Sequence, residues 1–286
     1  MNLKIVNSST DFIIYYLSTF LEKKQTSFFK KTAIDFGITE DWLDNLGFKN
    51  ENFNKYIINN INPLKKEDSD FFLKNYFPTN SANIKILEEG VSKNISTLEN
   101  FLRELFGSKS DIKEIEISLI PSNLMPREDF LSFPASVHEK VPNKIYLVIH
   151  IQDNLENEDI LLMYLKTTFH EFSHIFLNLN QEFSDILRTE WVKNYKNINP
   201  REYRKRIKEL IASSLFYYKD FGFAYSVLGL RENLKEKEDS LKKNKYRKIT
   251  FDFLEELKNS SDKDKLENLL PVYIDELIKG GLFLEK

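Results

Sequence analysis

With 286 residues, no cysteine and a formal charge of −3, the chain can form one large or two modest domains around a core that needs no disulfides. The same figures exclude cysteine-based zinc sites, redox centres and thiol nucleophiles, and they give no general attraction to nucleic acid or an anionic membrane. Any transition-metal site must therefore be built from histidines and carboxylates.

In chain order, residues 1–110 are expected to be mostly helical. Phe12–Lys23 is apolar-rich, but it is short and lacks a small-residue cleavage site, so no secretory signal is expected. No run approaches the ~18 apolar residues of a membrane span, which makes a cytoplasmic location the expectation. Lys31–Leu46 has a spacing reminiscent of a helix-turn-helix core, with a short helix over Thr39–Leu46. Glu40, Asp41 and Asp44 in that helix would repel phosphates, so a helical hairpin without a nucleic-acid role is expected. The segment between Asn60 and Asp70, with Pro63, reads as an exposed connection. Ser81–Phe106 is a longer helix, with periodic apolar positions that include Leu87, Val91, Ile95, Leu98, Leu102 and Leu105.

The pattern then changes period. Glu114–Ile120 alternates, with Ile115, Ile117 and Leu119 on one face and Glu114, Glu116 and Ser118 on the other. This predicts a half-buried strand ended by Pro121. Residues 121–143, with Pro126, Pro134 and Pro142, suit an irregular loop, and Lys144–Ile151 is a second strand. His138 in the loop and His150 at the strand end are expected to be structural or solvated. Asn157 is a candidate N-cap, with Glu158 and Asp159 in the first turn of a helix that no Gly or Pro interrupts from Ile160 through Asn178. Further helices follow at Phe183–Tyr195, Pro200–Tyr218, Phe251–Lys258 and Lys263–Lys279, with the charged run Lys235–Lys248 as a solvated face.

The uninterrupted helix carries His170-Glu171-Phe172-Ser173-His174, an HExxH motif. Positions i and i+4 share one helix face, so both imidazoles can reach a single metal ion, and the glutamate beside them can take a proton from an activated water. Only four histidines occur in the whole chain. The chance expectation for such a motif is about 0.01 per chain, which argues against an incidental match. Catalytic zinc takes three protein ligands and keeps a fourth position for water. With no third histidine nearby, a carboxylate from another element should complete the set. Glu209 is the first choice: it sits in a helix started by Pro200, among Leu210, Ile211, Ala212 and Leu215. Glu190 is the reserve, with Glu182 and Asp185 behind it.

Over roughly residues 110–225, the order of strand, strand, HExxH helix and second helix resembles the gluzincin branch of the zincin-like zinc metalloproteases. His170, Glu171 and His174 match its motif outright, and Glu209, followed by the small Ala212, matches its downstream glutamate by context. Many gluzincins place an aspartate four residues after that glutamate to orient a ligand histidine; here the position is Ser213, so another group must fill that role. No G-x-M-E-N motif occurs, which argues against the large aminopeptidase family.

The resemblance implies an α+β fold: a zincin-like core of a small, mostly antiparallel sheet plus the active-site helix, with helical N-terminal and C-terminal regions. The corresponding divisions are 1–110, 111–180 and 181–286. It further implies Zn²⁺ held by His170, His174 and Glu209, Glu171 as general base and then acid, and a tyrosine stabilising the oxyanion. Tyr217 is the candidate for that last role, with Tyr225 as a looser one. The strand Lys144–Ile151 would be the edge along which a peptide or protein substrate lies by β-addition. The Phe-rich stretch Phe216–Tyr225 is expected to be plain core packing. The expected function is thus peptide hydrolysis. The alternative is a metalloprotease-like protein that no longer cuts and serves as a binding or regulatory module, which the intact Glu171 disfavours. The oligomeric state is left open.

Overall fold

A computed structural model describes residues 2–6, 81–107, 112–122, 135–137, 143–150, 153–216, 228, 244–262 and 264–283. The readings for Phe12–Lys23, Lys31–Leu46, the Asn60–Asp70 connection, His138, Tyr217, Tyr225 and most of Lys235–Lys248 lie outside those residues. Within them the fold is mixed helix and sheet, and mostly helical.

A strand, β1 (Asn2–Val6), lies within the region expected to be mostly helical. Its Leu3 and Ile5 alternate with the exposed Asn2 and Lys4, a period-2 signal in a segment too short to stand out. Helix α1 (Ser81–Phe106) follows the expected bounds, and Leu87, Val91, Leu98, Leu102 and Leu105 are fully buried along one face. It ends at Gly107, whose φ of 88° is in the left-handed region that glycine enters freely. A Cβ there would also meet the Glu182 carboxylate at 2.9 Å.

Strands β2 (Glu114–Ser122), β3 (Ala135–Val137) and β4 (Lys144–His150) complete a four-stranded sheet of order β1-β2-β4-β3. β1, β2 and β4 are mutually parallel and only β3 is antiparallel, so the expectation of a mostly antiparallel sheet is corrected. The connections explain the difference. Parallel neighbours need crossovers of roughly a dozen residues or more, and the stretches 7–113 and 123–143 both provide them. Only β3, which closely precedes β4, folds straight back against it.

The Pro-rich stretch thus contributes a strand within the expected loop, and β4 becomes an interior strand between β2 and β3. The expectation that β4 is the peptide-binding edge is corrected with it. Pro121 does not end β2, which continues to Ser122. The Glu116 amide points to β4, bonding Asn143 O at 2.9 Å, so by alternation the odd-numbered positions aim at β1. Val6, opposite Ser118, is the last described residue of β1, so Pro121 lies beyond the described part of that ladder. Ser118 is fully buried rather than on an open polar face, and its β4 neighbour in register, Tyr146, is buried too.

The remaining helices are α2 (Glu158–Leu179), α3 (Gln181–Asn194), α4 (Pro200–Phe216), α5 (Lys245–Asn259) and α6 (Lys265–Lys279). Asn157 caps α2 as expected, accepting from the Asp159 amide at 3.0 Å and the Ile160 amide at 3.4 Å. Asn199 caps α4 in the same way, with Pro200 as the first helical residue. Fully buried Asn180 serves two helices: its backbone N–H closes α2, and its side chain accepts from the Phe183 amide at the start of α3. Its amide nitrogen also donates to Phe106 O at 2.8 Å, which ties the end of α1 to that junction.

α2 lies at the centre, packed against α1, α3, α4, β3 and β4. A Cβ on Gly90 of α1 would come within 3.1 Å of Leu165 Cδ2 on α2, so the two helices approach closely at that glycine. α5 and α6 pack on each other, with Phe253 and Tyr273 stacked at 4.3 Å, and α5 also contacts α1 and α4. One hydrophobic cluster runs through the six helices, β2 and β4, from Leu87 to Leu282. Among the described residues, no helix is long and apolar enough to cross a membrane.

Candidate metal centre

α2 is apolar around most of its circumference in the region of the motif. Phe169, Phe172, Ile175 and Phe176 are all fully buried. The buried hydroxyls of Thr168 and Ser173 bond back to the carbonyls of Tyr164 and Phe169, at 2.8 and 2.9 Å, so no polar group on that face is stranded. The helix therefore cannot rotate about its axis without exposing phenylalanines, and this packing fixes where His170, Glu171 and His174 point. All three side chains are largely buried, and they face α4.

α4 is held against α2 by Ile207, Ile211, Ala212 and Leu215, all fully buried, and Phe216 packs at 6.0 Å from Phe169. Phe216 belongs to the core, as expected for that end of the Phe-rich stretch. Lys208 donates to Asn178 Oδ1 at 2.8 Å and ties α4 to the last turn of α2. Glu209 projects from this helix towards the histidines. Its Oε2 lies 3.1 Å from His174 Nε2 and its Oε1 3.7 Å from His170 Nε2. The two Nε2 atoms are 3.2 Å apart, with the rings nearly perpendicular at 80°. Glu171 Oε1 stands 3.9 Å from His170 Nε2.

His170, His174 and Glu209 thus form a group whose candidate ligand atoms all lie within 4.8 Å of one another. A tetrahedral ion with ligand bonds of ~2.0–2.2 Å sets its ligand atoms roughly 3.3–3.6 Å apart, so the observed separations are close to those a small ion needs. Glu190, the reserve ligand, instead accepts from Asn194 at 2.9 Å. Asp185 is engaged by Gln181 and Arg188, and the Glu182 carboxylate faces Gly107. Glu209 differs from expectation in one respect: its side chain is 52% exposed, so it closes the centre from the solvent side rather than lying in the core.

The electrostatics suit a cation. Burial, reinforced by His174, lowers the His170 pKa to about 4, against smaller opposing effects from Glu209 and the Ala212 backbone. Its imidazole is therefore neutral at neutral pH, with a lone pair to offer. For Glu209, burial opposes ionisation, but the hydrogen bond with His174, the two imidazoles and Ser213 together outweigh it. Its carboxyl is held well below the usual range. Burial, and then the charge of Glu209, pushes Glu171 well above that range.

Two contributions had only weak sequence signals. Ser213 donates to Glu209 Oε1 at 2.7 Å, visible beforehand only as a polar residue one turn on. His170 hydrogen-bonds the Ala212 backbone, which no side-chain pattern could announce. Where many gluzincins carry an aspartate, one turn of α4 supplies the candidate carboxylate, a hydroxyl holding it, and a backbone group beside a histidine. Protein-family models, curated proteins and solved structures yield no match to this chain.

Proposed function

We propose that the chain is a zinc-dependent metallopeptidase of gluzincin-like type. The observation that carries this is the convergence of His170, His174 and Glu209 from two helices, with the buried Glu171 carboxylate beside them. Two imidazoles and one carboxylate suit zinc, while magnesium and calcium favour all-oxygen sets. Iron oxygenases also use two histidines and a carboxylate, but that chemistry has no need of a buried glutamate next to a ligand.

His170, His174 and Glu209 would hold the ion. Zinc held there would lower the pKa of a water towards ~7 and polarise a scissile carbonyl. Glu171 would accept the proton of the attacking water and, as the acid so formed, pass it to the leaving amine. The low exposure of His170, His174 and Glu171 keeps competing water from most of the reaction site. Among the described residues β3 is the strand at the sheet's edge on the side of α2, and it packs against that helix. Its outer side takes over from β4 as the place for an extended peptide to add by main-chain hydrogen bonds.

Elemental mass spectrometry on protein purified without added metal tests this, coupled to hydrolysis of a peptide library. Close to one zinc per chain, with cleavage lost in Glu171→Gln, is the expected result. Iron in its place, or no metal after reconstitution, overturns the zinc assignment. Zinc without cleavage of any peptide shifts the function to the binding or regulatory alternative.

A further inference from the structure

We infer that Ser213 is a positioning residue of the metal centre, one that holds the Glu209 carboxylate ready for the ion; this rests on the metal reading above. The three ligands are fixed to different degrees. His170 and His174 are 14% and 16% exposed, and the buried phenylalanines around them grip α2. His170 has its backbone partner at Ala212 as well. Glu209 is 52% exposed and has several rotatable bonds, so packing alone does not choose its rotamer. The Ser213 hydroxyl, donating at 2.7 Å to Oε1, fixes the carboxylate from the side away from His174. Oε2 is then the oxygen presented to His174, at 3.1 Å.

A ligand held in place before the ion arrives loses less freedom on binding, so the hydroxyl should act on affinity rather than on the fold. Ser213 touches neither the ion nor a substrate. Its effect on the centre passes entirely through Glu209.

The test is zinc affinity of the full chain by competition with a chromophoric chelator, beside the melting temperature of the metal-free protein. Ser213→Ala should bind zinc about 10- to 100-fold more weakly, the range for loss of an outer hydrogen-bond partner. Its metal-free melting temperature should be unchanged or slightly higher, because alanine is the better helix former. Ser213→Thr keeps the hydroxyl and should recover most of the affinity. Wild-type affinity in Ser213→Ala overturns the proposal, as does a Thr variant no better than Ala. A fall in metal-free stability matching the affinity loss also overturns it, since the role is then structural. A wild-type chain that takes up no zinc overturns the metal centre itself, and that outcome is visible before any variant is compared.

Discussion

Glu116 and Glu209 are each set between two nitrogen groups, one within the sheet and the other between helices. In the sheet, Glu116 on β2 lies in register with Lys4 on β1 and Lys144 on β4, at 3.3 Å and 2.7 Å from their ammonium groups. Between the helices, Glu209 lies against His174 and His170 at 3.1 and 3.7 Å. The geometry is similar, and the charge balance is opposite. Both partners of Glu116 are lysines, so the trio is compensated by the protein alone and ties three parallel strands together. His170 is neutral, so it does not offset the Glu209 carboxylate as the lysines offset Glu116. A carboxylate met by lysines completes a structural ladder; one met by two imidazoles is, on the proposed reading, completed by a cation.

Breaking the helix site should produce the largest effects. Glu209→Ala or His174→Ala removes a proposed ligand, so zinc affinity should fall by more than the ~100-fold that marks the upper range for an outer partner. Chelator competition measures this, and an unchanged affinity in Glu209→Ala would return the third-ligand role to another carboxylate. The wild type should also gain stability from zinc, about 4 kcal/mol when free zinc is 1,000-fold above Kd. Thermal unfolding with and without chelator should show that gain in the wild type and not in Glu209→Ala. Glu171→Gln sharpens the contrast: it should keep zinc and lose roughly 10²- to 10⁴-fold in peptide hydrolysis. Hydrolysis retained in that variant would remove Glu171 from the role of base.

The helix site was the more legible of the two regions, for a physical reason. HExxH spacing is local: the i, i+4 geometry of α2 follows from hydrogen bonds within four residues, and Asn157 marks where the helix begins. Glu209 could be chosen because α4 starts at Pro200 and few carboxylates sit in so apolar a run. The sheet depends instead on which strands meet across long stretches of chain. Lys4 and Glu116 are brought side by side from opposite sides of α1, and nothing local in β2 records that its neighbours are parallel. The short β1 and β3 carry too few alternating positions to register as strands. Pro121 looked like a terminator because its missing N–H matters only if a partner waits on that side, and that is a tertiary fact. Ser213 falls between the two cases: its spacing from Glu209 is local, but its partner atom depends on where the histidines hold the carboxylate.

Breaking the ladder in the sheet should give the smallest effect, and its dependence on pH separates the two regions further. Burial raises the Glu116 pKa, but Lys144, and less strongly Lys4, outweigh it, so the folded-state value lies below the ordinary one. The unfolded chain therefore binds the proton more readily. The stabilisation is complete above the usual carboxylate pKa of ~4.3 and disappears as pH falls through the lower, folded-state value. Glu116→Gln should cost about 1 kcal/mol at pH 7, because Lys144 loses a close partner while Lys4 stays well solvated. For a chain of this size that is a fall of about 2–4 °C in melting temperature. Measured in chelator, to remove any contribution from the helix site, the gap between variant and wild type should close on acidification. The protonated glutamic acid of the wild type and the amide of the variant then both present a neutral group to the two lysines. A gap that persists at low pH would mean that Glu116 contributes through packing rather than charge, and the contrast between a compensated carboxylate and an uncompensated one would lose its structural half.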